Sequence, residues 1–271
     1  MTGAALGARM QPLAAMPDDI RRSIRGVLTD IDDTLSTHGN LTPDAYNALA
    51  RLKAAGKLVI PITGRPAGWC DQIARMWPVD AVVGENGALY MRHDVARRRL
   101  VKRYTVDDAT RRANRLRLAA IGEHILAAVP GCALASDQLY READLAIDFC
   151  EDVPPLPREA IDKIVALMEA EGMTAKVSSI HVNGWFGTYD KLGMTKTVLA
   201  EVFGVDLDRE RAHFVFAGDA PNDAPMFAYF PHAVGVANVR QFADRIATLP
   251  TYITQGEAGA GFAELAAFLL A

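Results

Sequence analysis

Three short apolar runs, Val27-Leu28-Thr29, Leu58-Val59-Ile60-Pro61-Ile62-Thr63 and Ala81-Val82-Val83, lack any polar alternation and are separated by helix-patterned stretches. Strands of that kind are buried on both faces, which restricts the chain to a parallel sheet flanked by helices. The first run predicts a strand over 24–29, the next a strand in which Pro61 is awkward for a central ladder and blurs the limits. The helix between them is well punctuated. Thr42 is placed as its N-cap, Pro43 at its first turn and Gly56 just past its end, with Ala45, Leu49 and Leu52 on one face. A second helix is expected over 67–76. The same alternation resumes late in the chain, with helices over 194–203, 224–229 and 262–270 and strands over 214–217, 233–236 and 252–254.

Between these stretches, residues 90–188 read as an inserted domain with its own helices over 111–128 and 157–171. Strands are expected around them at 145–149, 174–177 and 180–185, giving a small open sheet with helices on one face. Residues 1–20 read as a mobile leader: they hold small apolar residues but also Arg9, Asp18 and Asp19, and have no continuous apolar centre of the signal-peptide kind. The catalytic core then comprises 21–89 and 189–271. At 271 residues, half of them hydrophobic and 23% charged, the chain has enough material for such a core with an insertion.

A net charge of -4 argues against a general nucleic-acid binder, and the basic cluster Arg97-Arg98-Arg99 with Lys102 and Arg103 reads as a solvated edge. Cys70, Cys132 and Cys150 show no CxxC pairing, so neither a disulfide framework nor a zinc ribbon is indicated, and a cytoplasmic setting fits. No charge-free stretch is long enough to span a bilayer.

Ligands of open parallel sheets gather outside the carboxyl ends of the strands. Asp30-Ile31-Asp32-Asp33 follows the first strand, Thr63 ends the second, and Gly218-Asp219-Ala220-Pro221-Asn222-Asp223 follows the late one. Carboxylates crowded at two strand ends repel, and a hard divalent cation with oxygen ligands relieves them. Asp30 and Asp32, two apart on extended chain, lean to one side, a spacing that lets one attack while the other handles a proton. The bland alternatives are turn chemistry for the Asp pair, a helix cap for Thr63-Gly64, and a left-handed turn for Asn86.

Asp30-Ile31-Asp32-Asp33-Thr34-Leu35 resembles the nucleophile motif of the haloacid dehalogenase superfamily, Thr63-Gly64-Arg65-Pro66 its second motif, and Gly218 to Asp223 its acidic fourth motif. Gly84-Glu85-Asn86-Gly87-Ala88 and the position of the insertion are similar to the Cof-type, subclass IIB phosphatases. The resemblance implies a Rossmann-like core with an α/β cap. It implies a phosphomonoesterase whose Asp30 becomes an aspartyl-phosphate and whose Asp32 protonates the leaving alcohol and then activates water. Mg²⁺ would be held by Asp30, the main-chain carbonyl of Asp32 and Asp219, with Asp223 either a ligand or a support just behind the ligands. Thr63, Gly64, Lys191 and Asn222 would bind the phosphoryl group, with Lys196 the substitute if Lys191 is not the required lysine. Arg65, Asn86, Arg141, Asp148, His181 and Asn183 are the residues that could face substrate. The implied partner is a small phosphorylated metabolite, a sugar phosphate by analogy, with neither nucleic acid nor membrane. A phosphomutase of the same subclass, a non-catalytic metal or phosphate-binding module and a receiver domain are the alternatives. Phosphate release without an activating bisphosphate separates the first, and loss of turnover in Asp30→Asn the second; a receiver needs neither Asp32 nor so large an insertion.

Overall fold

A computed structural model describes residues 10–271, in the order β1 (Gln11–Pro12), α1 (Asp18–Ser23), β2 (Gly26–Thr29), α2 (Pro43–Ala54), β3 (Leu58–Pro61), α3 (Ala67–Met76), β4 (Val82–Gly84), β5 (Leu89–Asp94) and β6 (Arg99–Tyr104). There follow α4 (Asp108–Ala128), β7 (Ala133–Leu134), β8 (Asp144–Asp148), α5 (Arg158–Ala170), β9 (Thr174–Val177) and β10 (His181–Trp185). The chain ends with α6 (Lys191–Phe203), α7 (Leu207–Glu210), β11 (Phe214–Gly218), α8 (Ala224–Tyr229), β12 (Val234–Gly235), β13 (Tyr252–Ile253) and α9 (Ala258–Leu269).

The main sheet is parallel, in the order β1-β13-β12-β11-β2-β3, and a bridge from Ile62 to Val83 leads on to the antiparallel β4-β5-β6. Val27, Val59 and Val215 point into one apolar layer with α2, α3 and α9, while Leu28, Ile60 and Phe216 point into the other with α6 and α8. That two-sided burial is why the strands lack polar alternation. Thr42 does cap α2, its hydroxyl accepting from the Ala45 amide, and Gly56 follows in a left-handed turn at φ 77°. Pro61 is tolerated for a geometric reason. The neighbouring Ile62 amide donates across to Thr29, so the donor that Pro61 lacks faces the other side, toward β4, where the Thr63 amide supplies a bond to the Val83 carbonyl instead.

The inserted layer is a four-stranded antiparallel sheet, β7-β8-β10-β9, with α4 and α5 on one face. Leu145, Ile147 and Val182 pack under the helices with Ile121, Ile125, Ile164 and Met168. By the period-2 alternation of strands, Asp144, His181, Asn183 and Trp185 take the opposite face. That face meets the main sheet's carboxyl edge.

Two sequence expectations are corrected. The insertion was expected from residue 90, which falls inside β5; Leu89 and Met91 are buried in one main layer and Tyr90 in the other, so β5 and β6 extend the core and the separate layer begins with α4. The leader was expected to be mobile through residue 20. Its first nine residues lie outside the described ones, but Gln11 and Pro12 pair in parallel with Tyr252 and Ile253, and Leu13 and Met16 are buried. Their apolar side chains close one end of the core. Among the described residues no helix is long and apolar enough to cross a membrane.

Candidate active site

Sheet register assembles the site. Ala217 pairs with Thr29, and Thr29 with Pro61, so the residues leaving β11, β2 and β3 emerge side by side; the Asp30 amide donates to the Ala217 carbonyl at 2.9 Å. Asp30, Asp219 and Asp223, all buried, thereby bring one carboxylate oxygen each within 4.8 Å of one another. Lys191, the first residue of α6, supplies the counter-charge. Its Nζ donates to Asp30 Oδ1 at 2.9 Å and to Asp223 Oδ1 at 2.8 Å. Asp190 positions it by capping α6, accepting the Gly193 amide at 2.7 Å. Lys196, by contrast, pairs with Asp208 on the exposed side of the helix, away from the acids.

Each acid is held by further contacts. Asp223 Oδ2 accepts the amides of Asp219 (3.1 Å) and Ala220 (3.4 Å), a close approach that requires Gly218, because a Cβ there would lie 2.5 Å from that oxygen. Asp219 Oδ1 accepts the Thr34 hydroxyl at 2.9 Å, and its Oδ2 accepts the Asn238 amide at 3.1 Å. Asn238 also donates to the Asp33 carbonyl (2.8 Å) and accepts from the Ala258 amide (2.9 Å), tying three segments to one carboxylate. Sequence reasoning missed Asn238. The signal was its place just after β12, another carboxyl end of the same parallel sheet. Asn238→Ala leaves Asp219 one donor short, and divalent-cation affinity is expected to fall about tenfold, measured by titration calorimetry, as when an outer-shell partner of a metal ligand is lost.

Burial raises the Asp30 carboxyl to about 7, with Asp223 and Asp32 adding to the shift and Lys191 opposing it. Burial, then Asp223 and Asp30, push Asp219 well above the ordinary carboxylate range. Lys191 is desolvated too, but Asp223 and Asp30 outweigh that and hold its proton more tightly than usual. Three carboxylates thus cluster at one ammonium, which bonds two of them. At an effective dielectric near 20, like charges 4 Å apart repel by about 4 kcal/mol, so the donor set is short of positive charge and consists of hard oxygen ligands. It fits a divalent cation.

Asp32 lies elsewhere. Its carboxylate faces Arg65, which reaches Asp32 Oδ1 through Nε at 2.9 Å and through Nη2 at 2.8 Å. The buried Arg65 guanidinium also bonds Glu151 Oε1 at 2.7 Å, approaches Asp137 at 3.4 Å and stacks on Trp69, its Cζ 4.5 Å from the ring centroid. Arg141 is equally committed, to Asp137, Asp144 and the Gly64 carbonyl. His181 Nε2 lies 2.9 Å from Glu151 Oε2, near enough for an ion pair but off the line of a hydrogen bond. Burial would raise Glu151; His181 and Arg65 prevail and hold it at about 2.

Of the other residues proposed from sequence, Gly64, Asn183 and Asn222 line the same small cavity as Asp30, Asp32, Arg65, Arg141 and His181. Thr63 is fully buried at the end of its strand, its hydroxyl accepting the Arg65 amide at 3.0 Å. Asn86 is in the left-handed region at φ 54° and is buried with its Nδ2 unpartnered, facing a second cavity of ≈ 290 Å³ shared with Lys191 and Asn222. Asp148 is corrected: it is not part of the cavity wall, because its oxygens accept the amides of Cys150, Glu151 and Asp152 at 2.8–2.9 Å and fix the loop that carries Glu151. Glu85, quoted in the motif without a role, accepts amides from Ala67 in the core and from Glu142, Ala143 and Asp144 in the insertion, joining the two layers. Glu151 and Asp137 carried no local sequence signal. Both meet Arg65, a partner far along the chain, while Asp137 also bonds Arg141 and Glu151 faces His181.

The cavity over Asp30 and Asp32 encloses ≈ 10 Å³, room for about one water. The insertion is shut against the core.

Residues 27–115 match a family model described as haloacid dehalogenase-like hydrolase. A search of curated proteins returns no match. Solved structures similar throughout include a Thermoplasma acidophilum protein (16% identity, TM-score 0.69, covering 91% of this chain and 98% of that one). A putative HAD/COF-like hydrolase from Plasmodium vivax aligns at 15% identity and TM-score 0.66, covering 92% and 96%. The sucrose-phosphatase of a Synechocystis species, solved with sucrose and phosphate, aligns at 14% identity and TM-score 0.61, covering 91% and 98%. At such identities the likeness establishes the fold, an α/β parallel-sheet core with an inserted α/β cap. The segment over residues 27–115 is thus similar to the haloacid dehalogenase-like hydrolases, and the fold along the chain is similar to those of the structures named above.

Proposed function

We propose that the protein is a Mg²⁺-dependent phosphomonoesterase that releases phosphate from a small phosphorylated metabolite, a sugar phosphate, through an aspartyl-phosphate on Asp30. The observation that carries this reading is the single ammonium of Lys191 shared between Asp30 and Asp223, with Asp219 alongside. An acid so neutralised, at the mouth of a sheet and aimed into a cavity, suits nucleophilic attack on an anionic ester. Asp30 forms a bond to phosphorus as the bond to the leaving oxygen breaks, and the Asp32 carboxyl gives that oxygen its proton. A water molecule then attacks the acyl phosphate, Asp32 takes up the water's proton, and inorganic phosphate leaves. Lys191 balances charge on Asp30 and the phosphoryl group, while Gly64, Asn222 and Thr63 shape the phosphate end. Asp30, Asp219 and Asp223 would hold Mg²⁺, which when bound supplies the charge that lets an anionic substrate approach an anionic nucleophile.

The closed cavity requires the cap to open for substrate entry, after which closure excludes water. Its wall supports a hydroxyl-rich leaving group: Ser178, Ser179 and Asn183 line it, and its cations Arg65 and Arg141 already face carboxylates. The sucrose-phosphatase likeness supports the same substrate class. The test is phosphate release from a panel of sugar phosphates, without any bisphosphate. Release is expected with Mg²⁺, falling about 100-fold when the metal is chelated and returning when it is restored, since metal-derived charge stabilisation is worth several kcal/mol. A panel that yields no phosphate would overturn the reading.

A further inference from the structure

Among the described residues, Arg65 is the one side chain that touches both the expected proton donor of the core and the acids of the cap. Its guanidinium is bound at once by Asp32, by Glu151 and, more distantly, by Asp137. Glu151 is held in place for this by the turn that Asp148 caps and by His181. The arrangement has a consequence for the reaction. To reach a leaving-group oxygen, Asp32 must turn away from Arg65, and a buried guanidinium that loses its only carboxylate is left uncompensated, a costly state.

Resting on the phosphatase reading, we propose that Glu151 is a positioning residue: with the cap shut it gives the Arg65 guanidinium a second carboxylate, so that Asp32 can turn to the leaving group without leaving that cation uncompensated. With the cap open, Glu151 and Asp137 withdraw and Arg65 keeps Asp32 alone, so the proton donor is engaged until a substrate has been enclosed. The two cap positions differ in which carboxylates Arg65 can reach, the differential contact that coupling requires. Catalysis then waits for closure. Glu151 itself contacts no reacting atom in this scheme.

The test is a series of aryl phosphates graded from 4-nitrophenyl phosphate, whose leaving group needs little protonation, to phenyl phosphate, whose leaving group needs more. In Glu151→Gln, kcat for phenyl phosphate is expected to fall about tenfold, against no more than about twofold for 4-nitrophenyl phosphate, a modest share of what a general acid contributes. Glu151→Asp, which keeps the charge, should recover part of the difference, and thermal unfolding should show both variants folded. Equal losses across the series would mean a merely structural Glu151 and would overturn the proposal, as would no loss at all. Failure of the wild type to release phosphate from any of these esters would instead overturn the phosphatase reading, and this proposal with it.

Discussion

Asp30→Asn is expected to abolish turnover, by on the order of 10⁴-fold or more, while leaving the fold intact, since removing a covalent nucleophile discards the whole pathway that runs through it. The substitution is nearly isosteric. It removes one of the three carboxylates clustered with Lys191, whose Nζ retains Asp223 at 2.8 Å, so the charge balance of the buried site improves without the ion. Burial already raises Asp30 to about 7, with its acidic neighbours adding to the shift, and removal of that charge should leave thermal stability equal or slightly higher. Phosphate-release assays and a melting curve check both halves together. A variant that keeps near-wild-type turnover contradicts the chemistry, and one that unfolds would assign Asp30 a structural part instead.

Gly87→Ala is expected to be severely damaging, its Cβ meeting the shortest contact of any described glycine. Gly87 sits at φ +104°, where an L side chain is strained, and a Cβ there would lie 2.0 Å from the Asp190 carbonyl oxygen and 2.9 Å from the Lys191 amide. Backbone cannot step aside as a flexible side chain can. Strain and overpacking, each worth up to about 3 kcal/mol, together predict a loss of about 3–5 kcal/mol and a melting temperature lower by roughly 10 °C. Because the clash falls on the residue that caps α6 and on Lys191 itself, residual activity should fall further than stability accounts for. Gly172→Ala is the control: it also has positive φ, at +77°, but a Cβ there meets nothing within 4 Å. It should cost only about 1 kcal/mol and leave kcat unchanged. Similar effects from both would remove the steric argument.

These expectations rest on features of unequal visibility in the sequence. The core strands could be read because burial on both faces leaves an unbroken apolar run, and α2 because Thr42, Pro43 and Gly56 act locally. Asp30, Asp32, Asp219 and Asp223 stood out as charge at the ends of buried strands. Lys191 over Lys196 rested on the resemblance, whose lysine sits just ahead of the corresponding helix; in the structure Lys191 opens α6, which Asp190 caps. What escaped was everything made by long-range pairing. β5 and β6 looked like the start of the insertion because a hairpin of mixed polarity gives no sign of which layer it joins. Gln11 and Pro12 form too short a strand to have a periodicity. Glu85, Asp137, Glu151 and Asn238 each act on a residue in a distant segment, and no spacing within one segment encodes such a contact.

The most direct test is a search for phosphate on Asp30 itself. The wild-type protein is mixed with Mg²⁺ and a hydrolysed sugar phosphate, quenched in acid during turnover, and its peptides are mapped by mass spectrometry. A phosphoryl group on the peptide containing Asp30, absent from the Asp30→Asn protein, is the predicted result. Steady turnover with that peptide unmodified, or with phosphate carried on another residue, would contradict it.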